Sequence, residues 1–470
     1  MIVFGGFANQ DVGVFGLART GMSVARSLVA GGARVFAWDD NVEAQRICAE
    51  HGARVLPFES WPWERLTALV LSPGVPLTHP VPHAVVSAAA QAAVPVIGDM
   101  DIFARELQAQ QATSALPPVI AVTGTNGKST TTVLISHILS SCGYVAELGG
   151  NIGRPVLDLG PPTPRSAYVL EVSSYQIELS PNLSPNVSVL TNISPDHLDR
   201  HGTLENYAAI KARLLQQTNK EGVVCIGVDD PYSAAIHSRF AASGGAEAIP
   251  VSVGKVLGSG IFVLDGVLYE APSANPKIMD LRNASRLPGA HNWQNAALAF
   301  AATRRLVENR QAIADAIASF RGLPHRLEEV GRLGKVRFIN DSKATNADAA
   351  ARALACFNDI FWIAGGRPKE GGIESLRPLF SRVRKAYLIG EAADDFARVL
   401  HDVPHERCGT LDKAIAVAAH DAEVSDAAAP AVLLSPACAS FDQFRDYERR
   451  GDAFREIVGG LVHVGLREAS

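Results

Sequence analysis

The stretch TGTNGKSTTT, Thr123 to Thr132, lies between the apolar run VIAV and the apolar-periodic run VLISHIL. Strand, glycine-rich turn, lysine, hydroxyl residues and helix follow in that order. Such an order aims backbone N–H groups and a helix N-terminus at an anion. Gly124, Thr125, Asn126 and Gly127 would form the cradle and Lys128 would reach the β- and γ-phosphates. The Ser129 or Thr130 hydroxyl would sit on Mg2+. The cradle is short, because a Walker A loop needs glycine five residues before Gly127 and Val122 stands there. This spacing points away from GTPases and motor proteins. Without nucleotide, the Lys128 side chain is expected to face solvent.

Outward from the loop, 470 residues correspond to about three domains at ~150 residues each. Hydrophobic residues make up 47% and charged residues 19%, enough for buried cores. The net charge is −5 and there is no basic block, which argues against a nucleic-acid partner. No lysine or arginine precedes Arg19 and no apolar run approaches ~18 residues, so neither a signal peptide nor membrane insertion is expected. Cys48, Cys142, Cys225, Cys356, Cys408 and Cys438 form no CxxC pair, which suggests reduced thiols in a cytoplasm.

Short apolar runs alternate with helical stretches, the pattern of doubly wound parallel sheets in an α/β fold. In the first block VGVF, RVFAWDD, ALVLSPG and VPVIGD read as strands, and MSVARSLVA as a helix. Gly13, Gly16 and Gly21 are spaced G-x2-G-x4-G, which misses the dinucleotide fingerprint. A Rossmann-like module for another ligand fits better, with Asp39 ending the second strand near a ribose or base. The second block starts near Gly98 and the third near RGLPHR, Arg321 to Arg326. Domains 1–98, 99–321 and 322–470 follow: Rossmann-like, P-loop ATPase-type and Rossmann-like.

In the second block one strand ends at Glu171, and the run VSVLTNISPDHLDRHG carries Asp196, His197 and Asp199 beyond another strand end. Acidic groups beside a phosphate loop suit a metal ion or a positioned water. His201 and His237 read as surface residues. In the third block NDSKATN, GGRPKEGG and SPACASFDQF each follow a strand. Converging at one sheet edge, they would bring Lys343, Lys369, hydroxyls and helix N-termini to a small dicarboxylate. Ordinary helix caps would explain each loop alone.

Taken together, VTGTNGKSTTT, GGNIGRP, LEVSSYQIE, DHLDRHGTLENYAAIK, GAHNWQNAALA, GLPHR, NDSKATN and LSPACASFDQF resemble the Mur ligases of peptidoglycan synthesis, almost from end to end. The resemblance implies a UDP-substrate domain, a central ATPase domain and an amino-acid domain. It also implies ATP-dependent addition of D-glutamate to UDP-N-acetylmuramoyl-L-alanine through an acyl phosphate, by a cytoplasmic monomer whose domains close over the reaction. By the same resemblance Thr20 and Asp39 match uridine-binding positions, and Asn151 and Ser173 other substrate positions. Lys128, Ser129 and Thr130 match the phosphate loop, while Glu171, His197 and Lys211 join Ser129 in holding two Mg2+, with Lys211 carbamylated. Asn295, Arg326 and Asp341 match nucleotide contacts. Lys343, Thr345, Lys369 and Ser440 match the glutamate site, with Tyr447 where phenylalanine is usual. The loop around Lys369 departs from the commoner family form. Remaining alternatives are a related ligase for L-glutamate or a folylpolyglutamate-type acceptor, a nicotinamide-dependent dehydrogenase, and a nucleotide-switched binding protein.

Overall fold

The structure, a computed structural model, describes residues 1–111, 116–274, 276–284, 286–368 and 371–468. The described strands form three sheets. The first comprises β1 (Asp11–Phe15), β2 (Arg34–Trp38), β3 (Arg54–Val55), β4 (Leu66–Leu71) and β5 (Val96–Ile97), all parallel in the order β3-β2-β1-β4-β5. This is a doubly wound order whose direction reverses between β1 and β4. All five residues of β1 are buried. The helix Arg19–Ala30 starts without a side-chain cap, after a turn in which Gly16 has φ +87°. A Cβ at Gly21 would lie 1.8 Å from the Gly16 carbonyl oxygen, so only glycine allows that turn.

The second sheet contains β6 (Val119–Thr123), β7 (Val145–Gly150), β8 (Ser166–Glu171), β9 (Val187–Leu190), β10 (Val223–Gly227), β11 (Glu247–Val253), β12 (Gly260–Leu264), β13 (Val267–Ala271) and β14 (Lys277–Asp280). Its order is β14-β13-β12-β11-β10-β9-β6-β8-β7, and only the β12–β13 and β13–β14 pairs are antiparallel. β6 is therefore an interior strand, buried along its length as a strand covered on both faces must be. Val12, Val24 and Leu28 share one apolar core with Leu157, Tyr168 and Leu170. Ser23 and Arg26 also hydrogen-bond Asp158, both at 2.8 Å. These ties make the first two sheets parts of one compact unit, Met1–Asn283 with Asn292–Ser319.

The other compact unit is Ala284–His291 with Phe320–Ser470. Its sheet comprises β15 (Glu328–Leu333), β16 (Val336–Asn340), β17 (Ile360–Gly365), β18 (Val383–Ile389), β19 (His405–Gly409) and β20 (Ala431–Leu434), in the order β15-β16-β20-β17-β18-β19. Only the β15–β16 pair is antiparallel. Alternation along β17 sends Ile360, Trp362 and Ala364 into one core and Phe361 and Ile363 into the other. All six cysteines are free thiols, and no described helix is long and apolar enough to cross a membrane.

Candidate active site

The loop after β6 is shaped by two left-handed glycines, Gly124 at φ +140° and Gly127 at φ +83°. A Cβ at Gly124 would lie 1.9 Å from Thr191 Oγ1, and one at Gly127 2.3 Å from Asn295 Oδ1. The segment after β9 holds the loop from beneath. Thr125 N–H donates to Asn192 O (2.8 Å), Asn126 N–H to Asn192 Oδ1 (3.0 Å), and Thr191 Oγ1 to Asn126 O (2.6 Å). Lys128 opens the helix Lys128–Ser141. It is half-buried rather than facing solvent, because its ammonium folds back to donate to Thr125 O at 2.8 Å. Ser129 and Thr130 are buried in the first turn. Thr131 Oγ1 donates to Asn295 Oδ1 (3.3 Å), so Asn295 on the helix Ala290–Thr303 stands against the loop.

Beside the loop, β8 ends in Glu171, which is buried. Asn151 Nδ2 donates to its Oε1 at 2.7 Å, while its buried Oε2 has no hydrogen-bond partner. An orphaned carboxylate oxygen is costly unless something cationic completes it. Ser173 caps the helix Ser174–Glu178, exchanging hydrogen bonds with Gln176 in a capping box. Lys211, on the helix Leu204–Gln216, is 1% exposed. Its ammonium lies 3.4 Å from Thr123 Oγ1 and 4.5 Å from the centre of the Tyr207 ring. Burial, reinforced by Lys128, drives the Lys211 amine well below its ordinary value, against the pull of Asp196 and Glu171.

His197 adopts a left-handed backbone (φ 53°), with its side chain 47% exposed and Nε2 3.4 Å from Asp196 Oδ2. Desolvation lowers its pKa, opposed by Asp196 and assisted by Lys128 and Lys211. Among the described residues no three His, Cys, Asp or Glu side chains cluster as a metal-binding group. The donor set here is one free carboxylate oxygen, an imidazole and hydroxyls, which suits a hard cation completed by phosphate oxygens or a further anion.

His201 is not a surface residue. It is buried, its Nε2 lies 2.8 Å from Ser174 Oγ, and its ring stacks on Tyr175. Burial, together with His197 and Lys211, lowers its pKa to about 4. His237 is half-buried. A polar partner such as Ser174 allows a histidine to sit inside, and hydropathy spacing cannot reveal that partner.

At the β1–β4 crevice, Thr20 is half-buried on the first turn of Arg19–Ala30. Asp39 accepts hydrogen bonds from Leu17 N–H and Asn41 N–H, so part of its carboxylate braces the crevice itself.

In the second unit, Asp341 Oδ2 accepts from Ser435 Oγ (2.8 Å) and Oδ1 from Leu327 N–H (3.2 Å). Burial raises its pKa to about 7, with Ser435 the main opposing influence. Arg326 is half-buried on the adjoining turn. The Lys343 ammonium lies 3.9 Å from the centre of the Tyr447 ring, a cation–π contact. Thr345 is half-buried and Ser440 buried, while Lys369 lies outside the described residues. The loops after β17 and β20 meet through paired backbone hydrogen bonds between Arg367 and Ala439. Arg450, which motif spacing did not single out, is 1% exposed. It donates to Ser342 Oγ (3.0 Å), Ser342 O (2.9 Å), Cys438 O (3.1 Å) and Ala439 O (3.3 Å). Burial lowers its pKa to about 10. Its bonds to three loop carbonyls join the segments carrying Lys343 and Ser440.

A glycine-rich loop between a central parallel strand and a helix, facing a buried acid at the next strand end, defines a P-loop-type α/β class. Residues 122–303 match the family model described as the Mur ligase middle domain. The UDP-N-acetylmuramoylalanine--D-glutamate ligase of Caulobacter sp. strain K31 is 49% identical over 100% of both chains. That of Nitrobacter winogradskyi is 50% identical over 99% of both. Among solved structures, the UDP-N-acetylmuramate-alanine ligase of Thermotoga maritima aligns with a TM-score of 0.59 at 16% identity, covering 96% of this chain and all of that one. The MurF ligase of Thermotoga maritima in complex with ADP aligns with a TM-score of 0.57 at 15% identity, covering 99% and 97%. The chain belongs to the Mur ligase family, in its UDP-N-acetylmuramoylalanine--D-glutamate ligase branch.

Proposed function

We propose that the chain is an ATP-dependent ligase that joins D-glutamate to UDP-N-acetylmuramoyl-L-alanine in peptidoglycan precursor synthesis. The observation that carries this reading is the buried, unpartnered Glu171 oxygen beside the loop headed by Lys128. Identity near one half over the whole length to ligases of that name supports the substrates. Residues 1–98 are assigned to the UDP-linked acceptor, 99–321 to ATP and 322–470 to the amino acid. ATP and nucleotide-linked sugars are cytoplasmic metabolites, which supports assigning the enzyme to the cytoplasm; we assign it as a monomer, which sedimentation would test.

A carboxylate is a poor acyl donor, because its leaving group would be oxide. Transfer of the γ-phosphoryl group onto it gives an acyl phosphate and ADP. The glutamate amine then attacks the acyl carbon, forming the amide and releasing phosphate and a proton. Residues 124–130 position the phosphates by their backbone N–H groups, and Lys128 turns from Thr125 O to the transferring oxygens. Asn295, Arg326 and Asp341 are assigned to the nucleotide. Thr20, Asp39, Asn151 and Ser173 are assigned to the acceptor. Lys343, Lys369, Thr345, Ser440 and Tyr447 are assigned to the carboxylates of glutamate, leaving its amine free.

Ser129, Glu171, His197 and Lys211 would hold Mg2+, two ions in all, which when bound neutralise charge on the phosphoryl oxygens. A carbamate on Lys211 would add an anionic oxygen to this sparse donor set. Its formation from CO2 consumes the neutral amine and releases a proton, and the burial of Lys211 favours that neutral form. Phosphate release with UDP-N-acetylmuramoyl-L-alanine, screened over D- and L-amino acids, tests the whole reading. The expected result is release only with ATP, acceptor and D-glutamate together. Faster turnover of L-glutamate or of a folate-type acceptor would move the chain to another substrate, and release without an acceptor would refute ligation.

A further inference from the structure

The segment that presents His197 is also fastened to the first sheet. The loop Ser72–Val75 follows β4 at the point where strand order reverses, and forms one wall of the crevice beyond β1 and β4. Ser72 N–H donates to Phe15 O at 3.0 Å, and a Cβ on Gly16 would lie 2.6 Å from the Ser72 Cβ, so the wall stands against the turn that leads to Thr20. Arg200 grips this wall with both terminal nitrogens: Nη1 donates to Gly74 O (3.0 Å) and Nη2 to Val75 O (3.1 Å). Its guanidinium lies 4.7 Å from the centre of the Tyr175 ring, which also meets the rings of His197 and His201, each 5.2 Å away.

Arg200 sits three residues beyond His197 on the single-turn helix Leu198–His201. That turn has little freedom of its own. Its far end is held by His201 against Ser174 and by Asn206 Nδ2 donating to His201 O at 2.8 Å. A shift of the Ser72–Val75 wall would therefore be passed through a planar, two-pronged side chain to the short helix that His197 caps. Lysine could reach the carbonyls with its ammonium, but it lacks the rigid planar fork that fixes both at once.

We propose that Arg200 is a positioning residue that couples occupancy of the first-sheet crevice to cation binding at His197 and Glu171. The inference rests on the ligase reading, which puts the uridine-linked acceptor in that crevice and Mg2+ at that cluster. Coupling of two binding events is reciprocal, so either ligand should tighten the other by the same factor.

The test is calorimetric titration of UDP-N-acetylmuramoyl-L-alanine into the full chain, with and without Mg2+ plus a non-hydrolysable ATP analogue, for wild type, Arg200→Met and Arg200→Lys. In wild type the metal and analogue should tighten acceptor binding by about 5-fold or more, within the usual range for coupled sites. In Arg200→Met that ratio should fall to about one, and in Arg200→Lys it should fall partway, with Tm close to wild type for each. Should Arg200→Met fail to fold, Arg200→Lys keeps the cation over Tyr175 and still gives the ratio. A ratio near one in wild type, or one undiminished in the variants, overturns the inference and leaves the ligase reading standing. Failure of wild type to bind the acceptor at all would sink the ligase reading itself.

Discussion

The loop at Thr123–Thr130 and the loops after β16, β17 and β20 are both polar turns at the carboxyl ends of parallel strands, but they are held differently. The first is held by its own backbone: two left-handed glycines and a lattice of hydrogen bonds to the segment just after the neighbouring strand β9. The Thr125 and Asn126 side chains add bonds to Ser194, whereas the Lys128 ammonium returns to Thr125 O within the loop. In the second set the loops after β16 and β20 are tied by one buried guanidinium, that of Arg450, 108 residues from Ser342, and the loop after β17 joins the β20 loop through the backbone bonds of Arg367 and Ala439. Anion recognition by main-chain amides can be written in a few consecutive residues, whereas a site assembled from three crossovers needs a strut from elsewhere in the chain. Side-chain substitutions should therefore damage chemistry in the first region, and structure as well as binding in the second.

The largest expected effect is that of Lys128→Ala. Loss of one preorganised cation at the transferring phosphoryl group should lower kcat by about 10³-fold. Thermal unfolding should change by less than about 1 kcal/mol, the scale of the hydrogen bond from its ammonium to Thr125 O. A large loss of stability here would break the contrast between the regions. Lys211→Ala should lower activity by about 10²-fold or more and be partly restored by acetate or formate filling the vacated space. Absence of rescue, with a plain lysine in the density of a crystal grown with bicarbonate and Mg2+, would remove the carbamate from the account.

Arg450→Met should cost about 2–4 kcal/mol of stability, because carbonyls of Ser342, Cys438 and Ala439 lose their donor inside the protein. It should also raise KM for glutamate while leaving KM for ATP little changed. Unaltered unfolding would mean that the loops hold themselves, as the phosphate loop does. Lys343→Ala should raise KM for D-glutamate by about 10- to 100-fold, the value of one charge-assisted contact of about 1.5–3 kcal/mol. An equal rise for ATP would misplace the residue.

Among the smallest expected effects is one at Asp99, which opens the helix Asp99–Gln111. Asp99 is buried, receives Gln176 Nε2 on both oxygens (3.5 and 3.3 Å), and is raised by burial to about 6 from 3.8. A raised folded pKa favours the folded state fully below pH 3.8, and that contribution is lost as pH rises through about 6. Asp99→Asn should thus gain about 1–2 kcal/mol over wild type between pH 4 and 7, read from denaturant unfolding. A pH-independent difference would contradict it.

The contrast also explains what could be read from sequence. β6 and β20 were evident as short apolar runs, β1 and β16 as runs with apolar residues at most positions, and the phosphate loop as a contiguous spacing. The depth of Lys211 was not evident, because a lysine on an amphipathic helix is ordinarily solvated and only the fold brings Thr123 and Tyr207 around it. His201 was misread for the same reason: Ser174 and Tyr175 reach it from another helix. Arg450 and Arg200 act through backbone carbonyls, which have no residue type to recognise. Ser173 was assigned to substrate from its motif, and the fold adds its helix-capping role.

The central claim is that the loop headed by Lys128 holds ATP so that its γ-phosphoryl group passes to the acceptor's carboxylate. It is tested most directly with UDP-N-acetylmuramoyl-L-alanine carrying 18O in that carboxylate. After turnover with ATP and D-glutamate, the released phosphate should carry one 18O per amide formed. Unlabelled phosphate, with both labelled oxygens lost to water or kept on the acceptor, would contradict the account.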